Sequence, residues 1–214
     1  RDAGRPPPPK PRERVLSPEE VGLLWNILGD EGPPYGAAIK LLLLTGQRRN
    51  EVFSANRAEF DMDTKLWIIP AERSKNGVAH LVPLSPEVLE VWGELRVDEE
   101  SAKLFVSRGN SETGPSGFTK AIIRIRTALD SQMDVPVQHW TLHDIRRTVA
   151  TGLQRLGVRL EVTEAVLNHV SGSRAGIIGV YQRHNYFDEK KAALEAWACE
   201  VKRLGADHPL KPDS

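Results

Sequence analysis

One cysteine, Cys199, occurs in 214 residues, which leaves no partner for an internal disulfide and no thiolate cluster for a metal. That usage suits a reducing compartment. No apolar run approaches the ~20 residues a membrane-spanning helix needs; Leu41-Leu42-Leu43-Leu44 is a short stretch suited to a buried helix. Nothing at the start resembles a secretory signal. No glycine-rich loop ends in Lys-Ser or Lys-Thr, so ATP is not implied, and no His-Glu-x-x-His segment presents paired imidazoles. His139 and His143 are four apart, with His169 as a further imidazole. Trp140-Thr141, however, reads as the approach to a helix beginning near His143, so zinc is set aside. Net charge is missing too. Lys and Arg total 29 against 29 Asp and Glu, which argues against a strongly basic nucleic-acid binder and requires any cationic chemistry to be local.

What is present is a globular composition, 40% hydrophobic and 27% charged, at a length that suits one substantial domain. We expect a Pro-rich interdomain linker over 1–16, a folded domain over 17–206 and a tail over 207–214. The linker expectation rests on the absence of an initiating methionine and on the proline run from Arg5 to Pro11, which favours extended geometry. Ser17-Pro18-Glu19-Glu20 is a helix start, with Ser17 as cap, Pro18 in the first turn and Glu20 closing a capping box. Val21, Leu24, Trp25 and Leu28 follow at helical spacing. Gly32-Pro33-Pro34 breaks the pattern, and a second helix runs through Leu44 to end near Gly46. Leu66 to Pro70 and His80 to Leu84 predict a small antiparallel hairpin, with a hydrophilic turn from Glu72 to Gly77 and Asn76-Gly77 at the bend. Further helices are predicted over 86–95, 118–129, 143–156, 161–167 and 188–204. The fold class is therefore mainly α with a small antiparallel β-sheet. The last helix carries a stripe of Leu194, Trp197, Val201 and Leu204, which can dock on its own domain or on a neighbour's.

Separated segments carry the reactive groups. Thr45-Gly46-Gln47-Arg48-Arg49-Asn50-Glu51 puts Arg48 just past a helix break, with Glu51 three positions on and able to share its face. Leu142-His143-Asp144-Ile145-Arg146-Arg147 makes His143 and Arg146 neighbours on a helix surface. Leu167-Asn168-His169 is followed, twelve residues after the histidine, by Tyr181-Gln182-Arg183, and Lys75 sits beside the predicted bend. A phenol of reference pKa ~10 needs roughly 4 kcal/mol to ionise at neutral pH, so a tyrosine that attacks a phosphodiester requires cations nearby. Charge on the nonbridging oxygens needs donors, and the departing sugar oxygen needs a proton. Two guanidiniums meet the first of these demands without a metal, because their forked donors match phosphate oxygens. Taken singly, each residue also has a structural reading. Arg48 and Glu51 make an ordinary solvated pair worth a few tenths of a kcal/mol, His143 and His169 flank helices, Lys75 solubilises a hairpin tip, and most tyrosines pack.

In this order the segments resemble the catalytic domain of the tyrosine recombinases, in particular the phage and prophage integrases, over roughly Ser17 to Leu204. The resemblance implies that family's catalytic-domain fold and a site-specific DNA strand exchange. In it Tyr181 forms a 3′-phosphotyrosyl intermediate, Arg48 and Arg146 hold the nonbridging oxygens and Glu51 is an orienting carboxylate. His143 and His169 handle charge and protons, and Lys75 protonates the departing 5′ oxygen. The family pattern of Arg after Thr-Gly-x favours Arg48 over Arg49, and the Val180-Tyr181-Gln182-Arg183 context favours Tyr181 over Tyr186. Two positions depart from the pattern: Asn50, where Gly or Ser is frequent, and Asn168, where Gly often precedes the histidine. The resemblance further implies no cofactor, double-stranded DNA at attachment sites as partner, four protomers around two duplexes, DNA-bending accessory proteins and a cytoplasmic, nucleoid-associated location. Two other readings stay open: a type IB topoisomerase-like enzyme with the same phosphotyrosyl chemistry, and a regulator that binds DNA without cleaving it.

Overall fold

A computed structural model describes residues 13–95, 101–106, 117–169 and 186–212. Ser17 starts the first helix, α1 (Pro18–Glu31), through a reciprocal cap: its hydroxyl accepts from the Glu20 amide at 3.1 Å and its own amide donates to Glu20 Oε2 at 2.7 Å. Next comes α2 (Tyr35–Thr45), which is mostly apolar and buried almost throughout; Ile39 and Leu41 to Leu44 are buried, as is Lys40, whose ammonium pairs with Glu94. A short α3 (Arg49–Phe53) and a single 3-10 turn (Arg57–Glu59) lead into a three-stranded antiparallel sheet of β1 (Phe60–Asp61), β2 (Leu66–Ile69) and β3 (His80–Pro83), in that spatial order. The remaining helices are α4 (Pro86–Glu94), α5 (Phe118–Gln132), α6 (Leu142–Arg155), α7 (Leu160–Val166) and α8 (Phe187–Asp207). The mainly α class with a small antiparallel sheet is the one expected from the sequence. Among the described residues no helix is long and apolar enough to cross a membrane.

Two features of the sheet differ from the simple hairpin. A third strand, β1, pairs Phe60 with Trp67 and Asp61 with Leu66. With only two residues it shows no alternation in sequence, and it is held by Phe60 stacking on Trp67 at 5.0 Å. The Trp67 indole N–H donates to Glu59 Oε2 at 3.0 Å, giving this buried ring its polar partner. Between β2 and β3 the chain makes a ten-residue excursion rather than a two-residue bend. Ser74 N donates back to Pro70 O at 3.0 Å and Gly77 N to Ser74 O at 3.1 Å, so Lys75 and Asn76 are the central residues of the second turn.

The stripe on α8 docks on its own chain, chiefly against α1. Trp197 is buried, its indole N–H donates to Leu43 O at 2.7 Å, and its ring fills the space above Gly152, where an added Cβ would lie 2.2 Å from the ring. Trp197→Ala empties that slot and orphans a carbonyl of the central helix, so it lowers unfolding free energy by about 3–5 kcal/mol. Denaturant titration of the purified chain measures this, and a loss below about 1 kcal/mol would mean the slot collapses without cost.

Candidate active site

Two helix ends create the centre of the site. At the end of α2, Gly46 takes the left-handed conformation with φ 66°, and a Cβ there would meet Leu167 Cδ2 at 2.9 Å and Val149 Cγ1 at 3.0 Å. Glycine is thus required twice, for the turn and for the close approach of α6 and α7. At the end of α7, Asn168 is also left-handed, with φ 48°. The bonds from Asn168 N to Ala165 O at 3.3 Å and from His169 N to Glu164 O at 2.9 Å complete a Schellman motif. These two termini aim unpaired carbonyls, the negative ends of their helices, at the same place.

Two guanidiniums occupy that place. Arg146, on α6 and buried, donates from Nη1 to Gly46 O at 2.7 Å and from Nη2 to Leu167 O. Arg48, at the cap of α3, donates from Nη2 to Asn168 O at 3.1 Å and from Nη1 to Glu51 Oε1 at 3.1 Å. The other Glu51 oxygen accepts from the Arg48 amide at 2.8 Å, so this buried carboxylate both caps α3 and orients the guanidinium. Burial, and then the positive charge of Arg48, push the Arg146 pKa down to about 10 against the opposing pull of Glu51, which still leaves it charged at neutral pH. Two like charges persist side by side because carbonyl dipoles and one carboxylate surround them.

Around them opens a cleft of about 850 Å³, walled by α3, the β2–β3 excursion, α5 and the start of α6. Among the described residues Arg48, Arg49, Arg73, Lys75, Arg126 and Arg146 line it against a single carboxylate, Glu51. A neutral chain has therefore gathered its positive charge locally. Within this set Arg73 pairs with Glu59 at 2.8 Å and donates to Glu51 O at 2.7 Å, and Arg126 donates to Trp140 O while lying over the Trp140 ring. Both brace the wall. Lys75 is exposed at the rim. His143 is exposed in the first turn of α6, which Thr141 and Asp144 cap through Thr141 N to Asp144 Oδ2 at 2.8 Å. Partial burial, then Arg147 and Arg146, hold its imidazole below the ordinary histidine range despite Asp144, so it is neutral at pH 7.

The fold thus brings Arg48, Glu51, Lys75, His143 and Arg146 to one cleft. His169 is exposed just beyond Asn168, next to the carbonyl that receives Arg48, but is not part of the cleft lining. Tyr181 lies outside the described residues. His139 precedes the start of α6 at Leu142, so it shares no helical turn with His143.

His80, which the sequence marks only as a strand residue, is buried on β3, and its Nε2 meets Val166 O at 3.1 Å, tying the sheet to α7. Burial above all, then Lys190, and more weakly Arg146 and Arg48, push its pKa down to about 3, with only the Val166 bond opposing. Facing a carbonyl, the neutral ring donates from Nε2. In the unfolded chain the same histidine titrates near ~6.5, so on acidification the unfolded state takes up the proton first. His80 therefore contributes stability that is complete above about pH 6.5 and declines as pH falls toward 3. His80→Gln keeps an N–H for Val166 but cannot titrate. Between pH 7.5 and pH 5 the wild type should lose about 2 kcal/mol more than this variant in denaturant titrations. Equal losses would show that His80 is not the titrating group.

The model of the phage integrase family matches residues 14–186. Prophage integrase IntA of Escherichia coli (strain K12) is 29% identical over 163 residues, covering 75% of this chain and 37% of that protein. The integrase from mycobacterium phage Brujita superposes with a TM-score of 0.61 at 16% identity, covering 93% of this chain and 67% of that one. A lambda integrase tetramer bound to a Holliday junction does so with a TM-score of 0.60 at 17% identity, covering 79% and 50% respectively. The chain spans about two fifths of the length of the curated relatives it matches, and the solved structures establish the likeness of fold.

Proposed function

Because the chain belongs to the phage integrase family, we propose that it is the catalytic part of a site-specific DNA recombinase that cuts and rejoins strands through a 3′-phosphotyrosyl intermediate. The observation that carries this reading is the convergence of Arg48 and Arg146, from segments a hundred residues apart, in a cationic cleft of a chain with no net charge. Two buried or half-buried guanidiniums beside each other are costly for a fold, and phosphate is the ligand that repays them.

In this reading the Tyr181 oxygen attacks phosphorus, a new P–O(Tyr) bond forms and the P–O5′ bond breaks. Arg48 and Arg146 donate to the nonbridging oxygens as the phosphorus becomes five-coordinate. Each guanidinium has five N–H groups, so the carbonyl and carboxylate bonds that position it leave donors for phosphate. Glu51 keeps Arg48 pointed. The neutral His143 accepts or relays the phenol proton, His169 assists charge balance, and Lys75 protonates the departing 5′ oxygen. A 5′ hydroxyl from a second strand then attacks the phosphotyrosine and releases the phenol. The phosphate ester is conserved throughout, so no nucleotide cofactor enters. The partner is double-stranded DNA at attachment sites, bound by four copies of the chain with help from DNA-bending proteins, in the cytoplasm at the nucleoid. The lambda integrase tetramer on its junction supports the assembly.

A nicked suicide substrate tests the reading, because the short fragment bearing the 5′ hydroxyl diffuses away and traps the covalent adduct. An SDS-resistant DNA–protein adduct is expected. Binding without an adduct would overturn the enzyme reading in favour of a regulator. Relaxation of any supercoiled plasmid with no joining to a partner strand would favour a topoisomerase.

A further inference from the structure

We propose that Asn168 is a positioning residue for the leaving-group acid, fixing the turn that carries Lys75 to the end of α7; this rests on the reading of Lys75 given above. The excursion from Pro70 to Ala79 lies between paired strands and carries Lys75 at its second turn. Its position is set from outside the sheet. Asn76 Nδ2 donates to Asn168 O at 2.9 Å and to Asn168 Oδ1 at 3.1 Å, and Asn168 Nδ2 donates to Ser74 Oγ at 3.0 Å. Both chain neighbours of Lys75 are therefore held by one residue. That same residue's carbonyl accepts from Arg48 Nη2 at 3.1 Å. One phosphate-binding guanidinium and the backbone of the acid thus share a single anchor.

The choice of asparagine has a physical reason. The position needs φ near +48°, which glycine adopts freely and asparagine tolerates better than other side chains. Glycine there would satisfy the turn and keep only its backbone carbonyl as an acceptor for Asn76. Asparagine satisfies the turn and supplies one acceptor and one donor, both engaged with the residues flanking Lys75. Lys75 is exposed, with a long flexible stem, so the reach of its ammonium depends on where the turn is pinned.

Asn168→Gly in the full chain keeps the backbone conformation and deletes only these side-chain bonds. Cleavage is measured on two suicide substrates, one with the natural 5′ oxygen and one with a 5′-bridging sulfur, whose thiolate departs without a proton. On the oxygen substrate Asn168→Gly should be slower by at least about tenfold, in line with the cost of misplacing a reacting group. On the sulfur substrate it should match the wild type. Asn76→Ala, which removes both Asn76 bonds and leaves the one to Ser74, should show the same pattern, and Lys75→Ala a stronger one. If sulfur rescues Lys75→Ala but neither Asn168→Gly nor Asn76→Ala, or if both of these cleave the oxygen substrate normally, the positioning role is overturned alone. If sulfur fails to rescue Lys75→Ala, the acid assignment falls and takes this proposal with it.

Discussion

Tyr181→Phe should form no covalent DNA adduct on the suicide substrate while binding DNA within about twofold of the wild type. The substitution removes one oxygen, and with it the only atom that can bond to phosphorus in the proposed step. In the proposed complex affinity comes from phosphate contacts with the arginines and lysine of the cationic cleft, so it should survive loss of one hydroxyl. The discriminating partner is Tyr186→Phe. Tyr186 caps α8 with φ 48° and is half-buried against the core, so its ring is engaged in holding the last helix. It should trap DNA at the wild-type level. An adduct from Tyr181→Phe that disappears in Tyr186→Phe would move the nucleophile and undo the assignment.

Arg146→Ala should slow cleavage by about a hundredfold or more at saturating DNA, the cost of removing a preorganised donor from a developing oxyanion. Its effect on stability should be much smaller, within about 2 kcal/mol, because opposing contributions nearly cancel. Loss of the side chain leaves Gly46 O and Leu167 O without their donor, at about 1–3 kcal/mol each if they stay dry. The cleft lets water reach them, which reduces that penalty. Against it, a guanidinium whose pKa is pushed down to about 10 burdens the fold by roughly 3 kcal/mol for staying charged, and that burden is lifted. Arg146→Lys keeps a charge but cannot fork between two carbonyls, so it should fall between the wild type and Ala in cleavage. Single-turnover rates and denaturant midpoints on the same preparations separate the two effects. Near-normal cleavage by Arg146→Ala would refute its role.

Much of this architecture is written locally. The Ser17 cap, the Gly46 break, the start of α6 near His143 and the lengths of the long helices follow from short-range rules, and the structure reproduces them to within a few residues. The legible part of the site has the same origin: Arg48 with Glu51, and His143 with Arg146, sit at helical spacings that any sequence reading finds. What escaped was set by partners far along the chain. Asn76 and Ser74 meet Asn168 across separations of 92 and 94 residues, and no periodicity records such a meeting. Asn168 stood out only as a departure from glycine, with its use invisible. The burial of His80 was likewise hidden, since strand alternation does not say that α7 covers one face. Charge segregation was masked by averaging. The cleft sets six cations against Glu51, and the zero total means that acidic residues outnumber basic ones over the rest of the chain.

The carbonyl anchors of the two arginines have a consequence for biosynthesis. Arg48 leaves the ribosome some 120 residues before the carbonyl of Asn168 that receives it, and Arg146 waits about 21 more for Leu167. Until the end of α7 has emerged, neither guanidinium has its full seat. A nascent chain that stops short of Asn168 therefore carries both arginines without the seats that the proposed cleavage requires, so that competence cannot precede synthesis of the end of α7.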